Sequence, residues 1–145
     1  MIEQRRIVFP VKGNDAKCLV PFVQSLVQKI YTLISQEYLN KYKIQLKGDN
    51  DPKIVASDIF IQFDKKISIR INFFAREKDI NTFIAGVVIE KSLLGFFSRV
   101  ATDDAQRFSE IIYNKIVNII EAETGLRGWT HEEAGQRLKN LNPTA

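Results

Sequence analysis

The first strong signal along the chain is a helical period. Leu19, Phe22, Val23, Leu26, Val27, Ile30, Leu33 and Ile34 recur at the spacing of a helix that buries one face. This predicts a first helix from about Cys18 to Leu39, with Pro21 in the first turn, where its missing N–H is not needed. Before it, Arg6 to Val11 has alternating apolar character and reads as a short edge strand ending at Pro10. From Tyr42 the period falls to two. Tyr42, Ile44 and Leu46 alternate with Lys41, Lys43, Gln45 and Lys47, predicting a half-exposed strand with a basic outer side. After the loop Gly48–Pro52, Ile59, Ile61 and Phe63 alternate, as do Ile67, Ile69, Ile71 and Phe73, so Asp64-Lys65-Lys66 should form a tight hairpin. A further strand runs from about Thr82 to Glu90, with Gly86 inside it marking a bulge or a close backbone approach.

Beyond Lys91 the pattern is ambiguous. Leu93, Phe96, Phe97 and Val100 have helical spacing, yet Gly95 weakens a helix by about 1 kcal/mol. Thr102-Asp103-Asp104 predicts a helix start, with negative charge at the positive end of the dipole. Phe108, Ile111, Ile112, Ile116, Ile119 and Ile120 carry that helix to Gly125. A last helix should begin at the capping box Thr130-His131-Glu132-Glu133 and end before Asn142-Pro143. There is no internal repeat, low-complexity tract or linker. The expected architecture is one α+β domain over residues 1–145, in helix–strands–helices order. An antiparallel meander of three to four strands carries on one face a long N-terminal helix and two to three C-terminal helices.

Directly opposed residues of a hairpin share a face. The tightest register that puts the isoleucines together pairs Phe63 with Ile67, Ile61 with Ile69 and Ile59 with Ile71. The other face then sets Gln62 opposite Ser68, Phe60 opposite Arg70 and Asp58 opposite Asn72, with Phe74, Ile84 and Val88 extending it. Asp58, Phe60, Gln62, Arg70, Asn72 and Phe74 are therefore the candidate binding residues. Arg70 either stacks on Phe60 and pairs loosely with Asp58 on a solvated face, or binds a partner's carboxylate or phosphate between aromatic anchors.

Composition narrows the chemistry. Of 145 residues, 45% are hydrophobic and 26% charged, values of a globular chain. The single cysteine, Cys18, forms no internal disulfide, and its apolar neighbourhood suggests an inert thiol. One cysteine and one histidine, His131, cannot supply a structural zinc site. Phosphate-binding glycine loops, a nucleophile elbow and H-E-x-x-H are missing from the sequence. No metal or other cofactor is expected. The start of the chain lacks a signal-peptide pattern and no stretch is long enough to span a bilayer, so the reading is a cytoplasmic protein.

The net charge of +4 permits an anionic partner without demanding one. Lys41, Lys43 and Lys47, with Lys65 and Lys66 at the neighbouring hairpin, form a candidate patch for phosphate backbones. Lysines on an edge strand also guard against edge-to-edge aggregation. Segment 57–72 resembles the hairpin of PD-(D/E)xK nucleases, with Asp58 matching the first acid. Ser68-Ile69-Arg70 stands where acid-x-Lys belongs, so a second carboxylate and the lysine are missing. The element order is also similar to that of the double-stranded-RNA-binding domain, but Asp103 and Asp104 open the helix that there presents lysines. Phe96, Phe97 and Trp129 are candidate interface anchors, and Tyr113 and Val117 widen the apolar face of the long C-terminal helix beyond what a small sheet would cover. These features favour a non-catalytic interaction protein of adaptor, chaperone or immunity type, acting on a protein partner or as a homo-oligomer. A nucleic-acid-binding module is the alternative, and a degenerate nuclease the second.

Overall fold

The computed structural model describes residues 4–48, 51–78, 82–91, 99–130, 132–133 and 135–136. Strand β1 (Gln4–Pro10) leads through a single turn, α1 (Asn14–Lys17), into α2 (Leu19–Glu37). Strands β2 (Lys43–Gly48), β3 (Ile54–Gln62), β4 (Ile67–Arg76) and β5 (Thr82–Lys91) follow, then α3 (Arg99–Thr124) and the two-residue β6 (Trp129–Thr130). The sheet has six strands in the order β2-β3-β4-β5-β1-β6, and every pairing is antiparallel. The anticipated meander is β2 to β5. The β3–β4 register is the one derived from the isoleucine pattern, with Ile59 opposite Ile71, Ile61 opposite Ile69 and Phe60 opposite Arg70. Asp64 closes the hairpin by accepting the backbone N–H groups of Lys66 and Ile67 at 2.7 Å each.

Two strands exceed the expected three to four, and the order starts with a strand instead of a helix. β1 is not an edge strand. It pairs with β5 along its length and with β6 through Ile7 and Val8. Ile7, Val8 and Phe9 are all buried, so the unbroken apolar run matches residues buried on both sides of the strand. Gly128 lets β6 approach: a Cβ there would lie 2.2 Å from Ile7 Cδ1 and 3.0 Å from Phe9 Cε1. Thr130, read as a helix cap, is both strand and cap. It pairs with Ile7 while its hydroxyl accepts the Glu133 N–H at 3.1 Å.

Both long helices lie on one face. α2 turns Val23, Leu26, Val27, Ile30 and Ile34 onto β3, β4 and β5, and α3 turns Ala105, Ile112, Ile116 and Ile120 onto β4 and β5. Opposite them, Ile59, Ile61, Ile69 and Ile71 are fully buried. Tyr38, Tyr42, Phe63 and Phe108 close one end of this layer with ring centroids 5.0–6.0 Å apart. α3 begins at Arg99, a turn earlier than the Thr102 start read from sequence, so Asp103 and Asp104 lie past the first turn. It ends at Gly125, whose φ of 70° and N–H to the Glu121 carbonyl (2.9 Å) make a left-handed stop. Ile111 belongs to the outer surface and not to the buried stripe, being 54% exposed. Tyr113 and Val117, read as surplus apolar surface, pack against the core, because the sheet is wider than expected. Arg5 of β1 reaches Tyr113 by a cation–π contact (5.8 Å) and pairs with Glu110 at 2.7 Å.

Candidate functional site

The register sorts the sheet face turned away from the helices into rows running across the strands. Lys43, Gln62, Ser68 and Glu90 form one; Gln45, Phe60, Arg70 and Val88 the next. Lys47, Asp58, Asn72, Gly86 and Arg6 form a third, and Ala56, Phe74, Ile84, Val8 and Trp129 an apolar fourth. All six candidate residues, Asp58, Phe60, Gln62, Arg70, Asn72 and Phe74, thus share this outer face on adjacent strands. Trp129, singled out as an anchor, ends its apolar row. Val8 and Val88 are 8% and 7% exposed although they point away from the helices, whereas Phe74 is 39% exposed.

The contacts of Arg70 differ from those expected. It pairs with Glu90 on β5 (Nη1 to Oε1, 2.9 Å), while Lys47 Nζ lies over the Phe60 ring at 5.3 Å. The hairpin register alone could not find Glu90, which stands one strand further on. The Arg70 Nε is buried without an acceptor. Asp58 is half-buried, and desolvation raises its pKa above the usual carboxylate value; Arg70 opposes that shift and Glu90 adds to it. Arg76 lies over the Phe74 ring at 5.5 Å.

Gly86 fulfils the close-approach expectation without a bulge. A Cβ there would sit 2.4 Å from Asn72 Oδ1 and 3.0 Å from the Arg5 carbonyl oxygen. Beside it, a depression of about 310 Å³ is walled by Ala56, Phe74 and Ile84 and rimmed by Asp58, Asn72 and Arg6. Sequence singled out Gly86, as a glycine inside a strand, but neither Arg6 nor Ala56 as part of a site.

The lysines separate into two groups. Lys43 and Lys47 stand on β2, the edge strand, as aggregation defence requires. Lys41 precedes β2, and Lys65 and Lys66 occupy the adjacent β3–β4 turn, so these three and Lys43 share a corner. Cys18 is exposed, contrary to the inert buried thiol expected, because it sits between α1 and α2 on their outer side. Phe96, Phe97 and His131 lie outside the described residues. Among the described residues no three His, Cys, Asp or Glu side chains converge. The helical layer carries a groove of about 590 Å³ beside Leu33 and Ile111. Lys29–Glu123 (2.5 Å) and Lys115–Glu37 link the two helices there. Burial opposes the charge of Lys115, but the Glu37 hydrogen bond and Tyr38 outweigh it and raise its pKa. No helix among the described residues is long and apolar enough to cross a membrane.

No protein-family model, curated protein or solved structure matches the chain.

Proposed function

We propose that this protein is a non-catalytic interaction module whose outer sheet face docks a partner protein. The observation that carries this reading is the apolar row Ala56–Phe74–Ile84–Val8–Trp129 on the sheet face opposite α2 and α3, in which Phe74 is exposed, Ala56, Ile84 and Trp129 are half-buried and Val8 is buried. Apolar anchors inside a polar rim are the usual anatomy of an interface. The rim supplies five cations, Arg6, Lys43, Lys47, Arg70 and Arg76, against two carboxylates, Asp58 and Glu90. That imbalance favours a different chain over a second copy, since two such faces would repel.

The test places a photo-crosslinking residue at Phe74 and, separately, at Ile111 on the helical layer. Crosslinks from position 74 to another protein, lost in a Trp129→Ala background, are the expected result. Crosslinks from position 111 only, or only to copies of this chain, overturn the reading.

The corner of Lys41, Lys43, Lys65 and Lys66 supports a second reading, binding of a nucleic-acid backbone. That reading requires an affinity that falls steeply with salt and is lost when these lysines become glutamine.

A further inference from the structure

The depression beside Gly86 has a chemistry more specific than the face around it. Its volume, about 310 Å³, lies at the bottom of the range of ligand pockets, roughly 300–1,000 Å³, so it suits one side chain better than a metabolite. Its walls are apolar: Phe74 and Ile84 stand opposite each other on β4 and β5, with Ala56 across from Phe74 on β3. Asn72, whose Oδ1 occupies the space over Gly86, lines it as well. At the rim stands the Asp58 carboxylate. Arg70, the cation whose charge acts on it, is bonded to Glu90 instead, and among the described residues none donates a hydrogen bond to Asp58. A half-buried carboxylate with idle acceptor capacity calls for a donor. Around the pit the charge is of the opposite sign. Arg6 and Lys47 end the row that contains Asp58, and Arg76 lies over Phe74.

We propose that this pit receives a tyrosine side chain from an acidic segment of the partner protein, the phenol hydroxyl donating to Asp58 while flanking carboxylates meet Arg6, Lys47 and Arg76. An aromatic body with a polar tip matches apolar walls that end in an acceptor. Phenylalanine would fill the walls and leave Asp58 desolvated without a donor. Ionic contacts at the edge set the approach and the sign of the segment. This inference rests on the outer face being the docking surface.

The experiment uses the full chain, isotope-labelled, titrated with three short synthetic peptides and followed by amide chemical shifts. One carries tyrosine between glutamates, the second phenylalanine in its place, the third lysines for the glutamates. The expected result is saturable binding of the first, with shifts at Asp58, Asn72, Phe74, Ile84 and Gly86. The phenylalanine peptide should bind about tenfold more weakly, a loss of about 1.4 kcal/mol. The lysine peptide should bind weaker still. Ala56→Leu, which fills the pit from an outward position, should abolish binding with its amide spectrum otherwise intact. Asp58→Ala, which removes the acceptor and leaves the pit open if Ala56→Leu fails to fold, should erase the tyrosine preference. Equal binding of tyrosine and phenylalanine, equal binding of the lysine peptide, or no binding overturns the inference. In the first two cases shifts confined to the outer face leave the docking reading standing. Shifts confined to α2 and α3 count against both.

Discussion

The two faces of one sheet are made by the same strands and follow different rules. On β3 and β4 the apolar side chains turned to the helices are Val55, Ile59, Ile61, Ile67, Ile69, Ile71, Phe73 and Ala75, each at 0–1% exposure. Their neighbours, one residue along, include Asp58, Phe60, Gln62, Arg70, Asn72 and Phe74, which mix acid, base, amide and ring at partial or full exposure. Alternation places them, but only the first set is explained by burial. A face that merely met water would have no need of Phe74, Ile84 and Trp129 in one row. The contrast teaches that the inner face specifies the fold and the outer face is where selection for something else can act.

The contrast can be broken by paired truncations at neighbouring positions. Ile71→Ala should cost about 2–5 kcal/mol of unfolding free energy in urea melts, through lost transfer and the cavity left behind. Phe74→Ala, three residues on and on the other face, should cost about 0.5 kcal/mol or little more despite removing a larger side chain. Equal losses would mean that the outer face is also core.

The glycine of the outer face sharpens the comparison. Gly86→Ala places a methyl against Asn72 Oδ1 and the Arg5 carbonyl, and should cost about 1–3 kcal/mol. Because one of these clashes is with the end of a flexible side chain, Asn72→Ala in the same chain should recover part of the loss. A double-mutant cycle measures that coupling directly. Strict additivity would place the whole strain on the backbone approach to Arg5.

The inner face was legible in the sequence because burial writes a period: the isoleucine alternation set the β3–β4 register, and with it the six residues of the outer face. The helix of Leu19 to Ile34 was equally plain. The misses share a cause. β6 is two residues long, too short for any period, and shows itself only in Gly128, whose missing side chain admits it over Ile7. β1 shows no alternation at Ile7-Val8-Phe9 because Val8, on the outer face, is buried along with Ile7 and Phe9. Glu90, the partner of Arg70, and Arg6, at the pit, belong to strands whose pairing a single hairpin cannot reveal. Gly86 was visible as an anomaly, and the depression beside it was not, because a depression is a property of four strands together.

The smallest expected effect discriminates most finely. Asp58 lies on the outer face, and desolvation raises its folded pKa above the ordinary carboxylate value, more than Arg70 lowers it. The folded state therefore holds the proton more tightly than the unfolded chain. Stability should fall as pH climbs from the unfolded pKa through the raised folded one, and the cost is present in full above the latter. Asp58→Asn, which never ionises, should then be slightly more stable than the parent at neutral pH, by about 0.5 kcal/mol or less. The difference should vanish in acid, below the ordinary carboxylate pKa. Urea midpoints of the two chains across that range measure it, and Ile71→Ala, uncharged on the inner face, serves as the pH-independent reference. If the variant is instead less stable at neutral pH, attraction to Arg70 outweighs desolvation, and the carboxylate is held for the fold. A gain at neutral pH has the opposite sense. The protein then retains a charge that costs stability, on the one face where burial does not require it, and that is the behaviour of a residue kept for a ligand.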